Sequence, residues 1–308
     1  MEKENLKEIT FALRDLCLGA IREGDSVAVT GHDMPDCDSV ISAVMLCRLL
    51  GALGVQAAVK FGTRPDPLTE RDMKKLGIFE GICFDGFDEH DALVLVDHHQ
   101  TFYKNRVLAC VDHHTTPPEP NFDLNLVRKA SSCGRMVFDM ACAVDLADDE
   151  TERLAVYSVY LDTQSTLAPK FVKEDLPWLK ESIARLGLDE GELIRAGFCL
   201  NSLSEDANDL AMYGCKKYEF NLGGRFGLST YVQIDPDEEG WQDKIGEILA
   251  LIEQKRAERG ALLWVFLVNM PSVVRSDLYF IREGGVEKIA LDRLASRSRD
   301  VVPHMKNL

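Results

Sequence analysis

Two stretches of this chain end the same way. Asp91 to Val96 (DALVLV) runs into Asp97-His98-His99, and Val107 to Val111 (VLACV) runs into Asp112-His113-His114. Short apolar runs of this kind suit buried strands, and each stops at a carboxylate followed by two imidazoles. Other segments repeat the strand-then-polar pattern. Ser26 to Thr30 (SVAVT) reads as a strand with a loop after it, and Val55 to Phe61 is strand-like. Ser39 to Leu50, Ser132 to Ala143, Thr151 to Leu161 and Glu174 to Leu186 carry helical patterns. Strands alternating with helices predict an α/β fold, with a mainly parallel sheet covered on both faces. In such sheets ligands bind beyond the carboxyl ends of the strands, where these polar clusters fall.

After Gly187 the pattern changes. Asn201 to Asp209 (NSLSEDAND) is polar and turn-rich. Strand patterns follow at Lys217 to Asn221, Phe226 to Val232 and Leu262 to Val268, with a helix from Gln242 to Ala257. The 308 residues suffice for two domains. The expected organisation is a parallel-sheet domain over 1–188, a hinge region over 189–207 and a smaller α/β domain over 208–308. The active site is expected in the cleft between the domains.

The formal net charge of −16 argues against a nucleic acid duplex as partner, because phosphate neutralisation needs a basic face. An anionic substrate remains compatible if bound cations invert the local field. No apolar run is long enough to span a bilayer; the longest is Ala261 to Met270. The N-terminal segment reads as an amphipathic helix with acidic residues rather than a signal peptide. The expected location is the cytoplasm, with no membrane partner. The nine cysteines show no CxxC pair, which fits reduced and mostly buried thiols.

Four clusters carry chemistry: Gly31-His32-Asp33-Met34-Pro35-Asp36-Cys37-Asp38-Ser39, Asp97-His98-His99, Asp112-His113-His114 and Leu161-Asp162-Thr163. Five of the seven histidines fall within the first three. An Asp after one strand is ordinary turn chemistry. Four such clusters, rich in imidazole and carboxylate, point to Mn²⁺, Zn²⁺, Fe²⁺ or Co²⁺. Two such ions can activate a water and clamp a phosphoryl oxygen. Asp38 is placed near a helix N-terminus, which favours a carboxylate. Cys37 alternates with the carboxylates and is expected to point away. Ser131-Ser132-Cys133-Gly134 reads equally as a phosphate-facing helix start and as a routine N-cap. Trp178, Trp241 and Trp264 read as packing residues, and the Gly223-Gly224 and Gly284-Gly285 pairs as turns.

These motifs resemble the DHH phosphoesterases, and most closely their manganese-dependent (family II) inorganic pyrophosphatase branch. GHDMPDCDS resembles the first motif of that family, LVDHH the second, Asp112-His113-His114 the one that names it and YLDTQ the fourth. The likeness runs through Lys216-Lys217-Tyr218-Glu219 to the ending Ser296-Arg297-Ser298-Arg299-Asp300-Val301-Val302-Pro303. It implies a DHH catalytic domain followed by a DHHA2-type substrate-binding domain.

The resemblance also implies two divalent ions, manganese first, with cobalt or magnesium as substitutes. His32, Asp36 and Asp97 would hold one; Asp38, Asp97, His113 and Asp162 would hold the other, with Asp97 bridging. His114, Asp97 and Asp38 would be catalytic. His114, Lys216, Arg297 and Arg299 would contact a small phosphorylated substrate. A homodimer through the first domain is implied as well.

The sequence departs from the family pattern at several positions. Met34 and His99 stand where the family has Asn. Ser298 and Arg299 replace lysines, and Asp300 replaces Gln. The expected activity is hydrolysis of a phosphoanhydride, pyrophosphate or short polyphosphate. The alternatives are a phosphodiesterase acting on short oligonucleotides or cyclic dinucleotides, and a catalytically weak regulatory homologue.

Overall fold

Where the polypeptide reverses its direction of winding decides where this fold can bind anything. The structure, a computed structural model, describes residues 3–99, 103–115, 120–168, 170–198, 200–219, 226–295, 300, 301 and 303. The chain separates into two units, Met1–Gly197 and Phe198–Leu308. The break falls inside the segment expected as a hinge region.

The first unit comprises α1 (Lys3–Glu23), β1 (Ser26–Thr30), α2 (Cys37–Ala52), β2 (Ala57–Val59), α3 (Pro67–Lys75), β3 (Asp91–Val96), β4 (Val107–Asp112), β5 (Leu124–Val127), α4 (Cys133–Ala143), α5 (Asp149–Asp162), α6 (Leu176–Leu186) and α7 (Glu190–Gly197). Its sheet has the order β2-β1-β3-β4-β5, and every neighbouring pair is parallel. The chain leaves β1 for β2 at one edge and returns to β3 on the other side. Winding therefore reverses between β1 and β3, and such sheets bind ligands beyond the carboxyl ends of the strands at that point.

All six residues of β3 are buried, as a central parallel strand requires. One face of the sheet packs Ala28, Leu93, Leu95 and Cys110 against Phe87, Tyr103 and Phe122 from the connecting loops. Strict alternation of strand and helix does not extend across the sheet. Among the described residues, the β3–β4 and β4–β5 connections hold no helix. The strand expected over Val55 to Phe61 is shorter, because only Ala57–Val59 pairs with β1 as a ladder. Helix α2 is buried nearly all round, which is the pattern of a core helix.

The second unit comprises α8 (Ala207–Met212), β6 (Lys216–Glu219), β7 (Phe226–Gln233), α9 (Trp241–Arg259), β8 (Leu263–Met270), β9 (Arg275–Arg282) and β10 (Gly285–Leu291). Its sheet order is β10-β9-β8-β7-β6, with β7 and β8 parallel and the other pairs antiparallel. Helix α9 crosses between the parallel pair. It buries Trp241, Ile245, Ile248 and Ile252 against Leu228, Val232, Trp264 and Phe266. Full burial of such a side chain contributes ~1.5–3 kcal/mol. Trp241 and Trp264 are packing residues, as expected. Gly284, with φ 91°, turns the β9–β10 hairpin, as expected, whereas Gly223 and Gly224 lie outside the described residues. Among the described residues, no helix is long and apolar enough to cross a membrane.

Candidate metal centre

The loop after β1 and the start of α2 supply the first donors. Asp36 caps α2, accepting from the Ser39 backbone N–H at 3.0 Å. That bond fixes the loop so that His32 faces inward. His32 Nδ1 lies 2.9 Å from the Asp33 carbonyl, which turns Nε2 toward Asp36 Oδ2 at 3.7 Å and Asp97 Oδ2 at 3.6 Å. Gly31 is required by close approach. A Cβ there would stand 2.6 Å from Ser39 Cβ. Ser39 is fixed in turn, because its hydroxyl donates to Asp97 Oδ2 at 2.6 Å.

β3 and β4 end at the same level, since Val96 registers with Val111, yet their aspartates diverge. Asp112 remains in the strand. Asp97 has φ 61°, a left-handed conformation that Asp tolerates better than most residues. Breaking the pleat there swings the Asp97 carboxylate toward His32, Ser39 and His113. A backbone strained in this way costs ~1–3 kcal/mol and persists where the surroundings enforce it.

Asp38 is buried beneath the site. Its carboxylate accepts from the Cys133 N–H (2.7 Å), the Gly134 N–H (3.0 Å), Ser42 Oγ (3.1 Å) and Ser158 Oγ (2.6 Å). The helix start at 131–134 is thus an N-cap: Ser132 accepts from the Arg135 N–H, and the next two amides serve Asp38 rather than a phosphate. Cys37 is buried with its sulfur 3.9 Å from Thr69 Oγ1, on the Thr69 side of its helix.

His113 connects the centre. Its Nδ1 lies 3.2 Å from the Ala130 carbonyl, which leaves Nε2 as the ligand nitrogen. Nε2 is 3.1 Å from Asp97 Oδ1, 3.6 Å from Asp162 Oδ2 and 3.7 Å from Asp38 Oδ2. Asp162, the last residue of α5, also pairs with Lys170 through its other oxygen.

Three of these atoms test whether a cation fits. Asp97 Oδ1, His113 Nε2 and Asp162 Oδ2 are buried and make no hydrogen bond; the 3.1 Å approach of the first two lacks hydrogen-bond geometry. An unmet buried polar atom costs ~1–3 kcal/mol, and each of these three belongs to a group of donors close enough to share an ion. His32, Asp36 and Asp97 converge closely enough to share a metal ion, as do Asp38, His113 and Asp162. Asp97, His113 and His114 form a third such group. This mixed imidazole and carboxylate donor set suits a first-row divalent cation.

Without metal the centre holds protons. Burial, and then the charge of Asp38, raise the pKa of Asp97; the same two causes raise that of Asp162. Burial opposes the charged form of His113, but Asp97, Asp38 and Asp162 outweigh it and raise the ring to about 10. Asp36 is the main cause that pushes His32 up to about 9.

Asp112 belongs to a cluster that the sequence singles out, but the sequence gives it no role. Fully buried, it holds His99 Nδ1 at 2.5 Å with one oxygen, and the His114 ring and backbone N–H, each at 2.9 Å, with the other. Its position at a strand end was visible, but its partners were not. Ser39, Ser42, Ser158 and Lys170 were also missed, because nothing local marks a hydroxyl or an amine as a partner of a distant carboxylate. Of the residues expected to contact substrate, Lys216 is exposed on β6 in the second unit, while Arg297, Ser298 and Arg299 lie outside the described residues. Asp300 pairs with Arg293 through both oxygens, at 3.0 and 2.5 Å.

A parallel sheet with imidazoles and carboxylates gathered at its switch point defines the first unit as an α/β domain whose side chains could hold a metal ion. Residues 26–162 match the family model described as DHH family, N-terminal domain. The chain is 23% identical to a manganese-dependent inorganic pyrophosphatase of Methanocaldococcus jannaschii, over 90% of this chain and 97% of the relative. It is 24% identical to a Bacillus licheniformis protein described as a probable manganese-dependent inorganic pyrophosphatase, over 90% of this chain and 96% of the relative. Its fold is similar to a Methanococcus jannaschii crystal structure provisionally described as a family II inorganic pyrophosphatase. The TM-score is 0.55 at 21% identity, covering 91% of this chain and 98% of the other.

Proposed function

We propose that this chain is a divalent-metal-dependent phosphohydrolase that cleaves a phosphoanhydride, with inorganic pyrophosphate as first substrate. The observation that carries the reading is that three buried atoms, Asp97 Oδ1, His113 Nε2 and Asp162 Oδ2, each in a group of donors close enough to share an ion, lack a hydrogen-bond partner. The curated relatives, named for manganese and pyrophosphate, support it.

His32, Asp36 and Asp97 would hold one ion; Asp38, Asp97, His113 and Asp162 would hold the second, with Asp97 shared. Bound there, the ions supply Lewis-acid polarisation and neutralise charge on the phosphoryl oxygens. The chain does the rest. Asp38 is fixed by four donors and cannot swing away. Ser39 orients Asp97. His114, whose side chain is 44% exposed beside Asp97, would as the imidazolium donate from Nε2 a proton to the departing phosphate or a hydrogen bond to an equatorial oxygen, while Nδ1–H faces Asp112. Lys216, Arg297 and Arg299 would add positive charge for the substrate's phosphate oxygens.

The test is metal analysis with a substrate panel of pyrophosphate, tripolyphosphate, linear dinucleotides and cyclic dinucleotides. Manganese-dependent release of phosphate from pyrophosphate is expected to be fastest. Faster cleavage of a dinucleotide would move the chain to the phosphodiesterase reading. No turnover with metal bound would make it a regulatory homologue.

A further inference from the structure

Asp112 is fully buried at the end of β4, lies close to the candidate ligands and is not placed among them. Its two oxygens explain why. Oδ1 faces the His114 backbone N–H and the His114 Nδ1, both at 2.9 Å. Oδ2 faces His99 Nδ1 at 2.5 Å. The three groups run from the interior to the surface. The His99 side chain is 1% exposed, that of Asp112 0% and that of His114 44%.

A carboxylate can rotate about its last bond, and here the rotation matters. If Asp112 turned, its oxygens would compete for the ions or release the His114 ring. The backbone N–H of His114 holds one side only. His99 holds the other, from a site that Val96 and Val111 bring into register across β3 and β4. A carboxylate accepts, so each imidazole facing it donates from Nδ1. The His114 tautomer is thereby set with Nδ1–H inward, and Nε2 is the ring nitrogen not held by Asp112.

We propose that His99 is a positioning residue for His114: by pinning the far oxygen of Asp112, it keeps that carboxylate off the metal centre and fixes the His114 ring with Nε2 presented outward. The inference rests on the reading of His114 as the group that meets substrate, and it adds a residue that never touches substrate itself.

The experiment uses the full chain loaded with diamagnetic Zn²⁺ or Mg²⁺. Ring ¹⁵N shifts of His114 report its tautomer, and steady-state kinetics with pyrophosphate report kcat and KM separately. In the parent protein the neutral ring is expected to be the Nδ1–H tautomer. His99→Phe keeps the volume and removes the donor. A mixed His114 tautomer is expected, with kcat lower by about 10–100-fold, as for other groups that orient a metal site, and with KM little changed. A His114 tautomer unchanged in His99→Phe would overturn the proposal.

His99→Asn places an amide N–H where Nδ1 stood. It is expected to restore the tautomer and most of kcat, and it keeps the proposal testable if His99→Phe does not fold. Loss of the tautomer in His99→Asn would also overturn it. Combining His99→Phe with His114→Gln should cost no more kcat than His114→Gln alone, because the two act in one chain. A locked tautomer without pyrophosphate hydrolysis would put the fault in the choice of substrate and leave the positioning intact.

Discussion

Asp97 Oδ1 stands 3.1 Å from His113 Nε2, and neither atom makes a hydrogen bond. One follows β3 and the other follows β4, so the sheet itself sets their separation.

Asp97→Asn tests Asp97 as a shared ligand. The amide keeps the shape and tolerates φ 61°. It also removes a buried charge facing Asp38, the second cause of the raised Asp97 pKa. The metal-free variant is therefore expected to melt no lower than the metal-free parent. Its metal content and activity should collapse. Thermal unfolding with and without added Mn²⁺ checks both; a variant that gains as much from Mn²⁺ as the parent does would rule out Asp97 as a shared ligand.

Gly134→Ala should act on the same centre from below. A Cβ at 134 would lie 2.3 Å from Ser158 Oγ and 2.7 Å from Ser158 Cβ. Ser158 would have to move, releasing Asp38. Overpacking of this kind costs ~1–3 kcal/mol. Denaturant unfolding should show that loss together with weaker metal binding. Unchanged stability would mean that the contact relaxes without consequence.

The sign of the pH dependence follows from the proton-loaded centre. His113 and His32 are raised to about 10 and about 9. The stability they contribute is complete below about pH 6.5, the unfolded value, and is lost as pH rises through the folded values. Asp97 and Asp162 are raised too, so their contribution is likewise lost with rising pH. The metal-free protein should lose stability across about pH 6.5–10, while metal binding tightens as protons leave. Melting curves of chelator-treated and Mn²⁺-loaded protein should diverge over that range. A metal-free protein that gains stability there would contradict the account.

The sequence made the strand ends legible because each apolar run stops abruptly at a carboxylate. It also placed the helix over Ser39 to Leu50, which α2 extends by a few residues. Strand β5 was missed because it has only four residues and interrupts its apolar run with Asn125. Helix α3 was missed although Asp66 and Pro67 are a sound start signal, since its polar composition lacks an apolar stripe. Strands β9 and β10 flank the Glu283-Gly284 turn, but β10 is mostly exposed and shows little alternation. Inside the site, the donor types were readable. Which aspartate turns inward depended on a backbone angle at Asp97 that no propensity encodes.

Ser298→Lys addresses the substrate. The family pattern has a lysine at 298, and Asp300 is already neutralised by Arg293. Adding the cation should lower KM for pyrophosphate by roughly tenfold, the worth of about one charge-assisted hydrogen bond. Initial-rate measurements with pyrophosphate and a dinucleotide should show the gain for pyrophosphate alone. No gain would favour a less charged substrate.

Titration of the metal-free protein with Mn²⁺, followed by electron paramagnetic resonance, tests the central claim most directly. If Asp97 bridges, two ions should bind per chain about 3.5–4 Å apart and give an exchange-coupled spectrum. Asp97→Asn should abolish the coupling. A single ion per chain, or two uncoupled ones, would contradict the account.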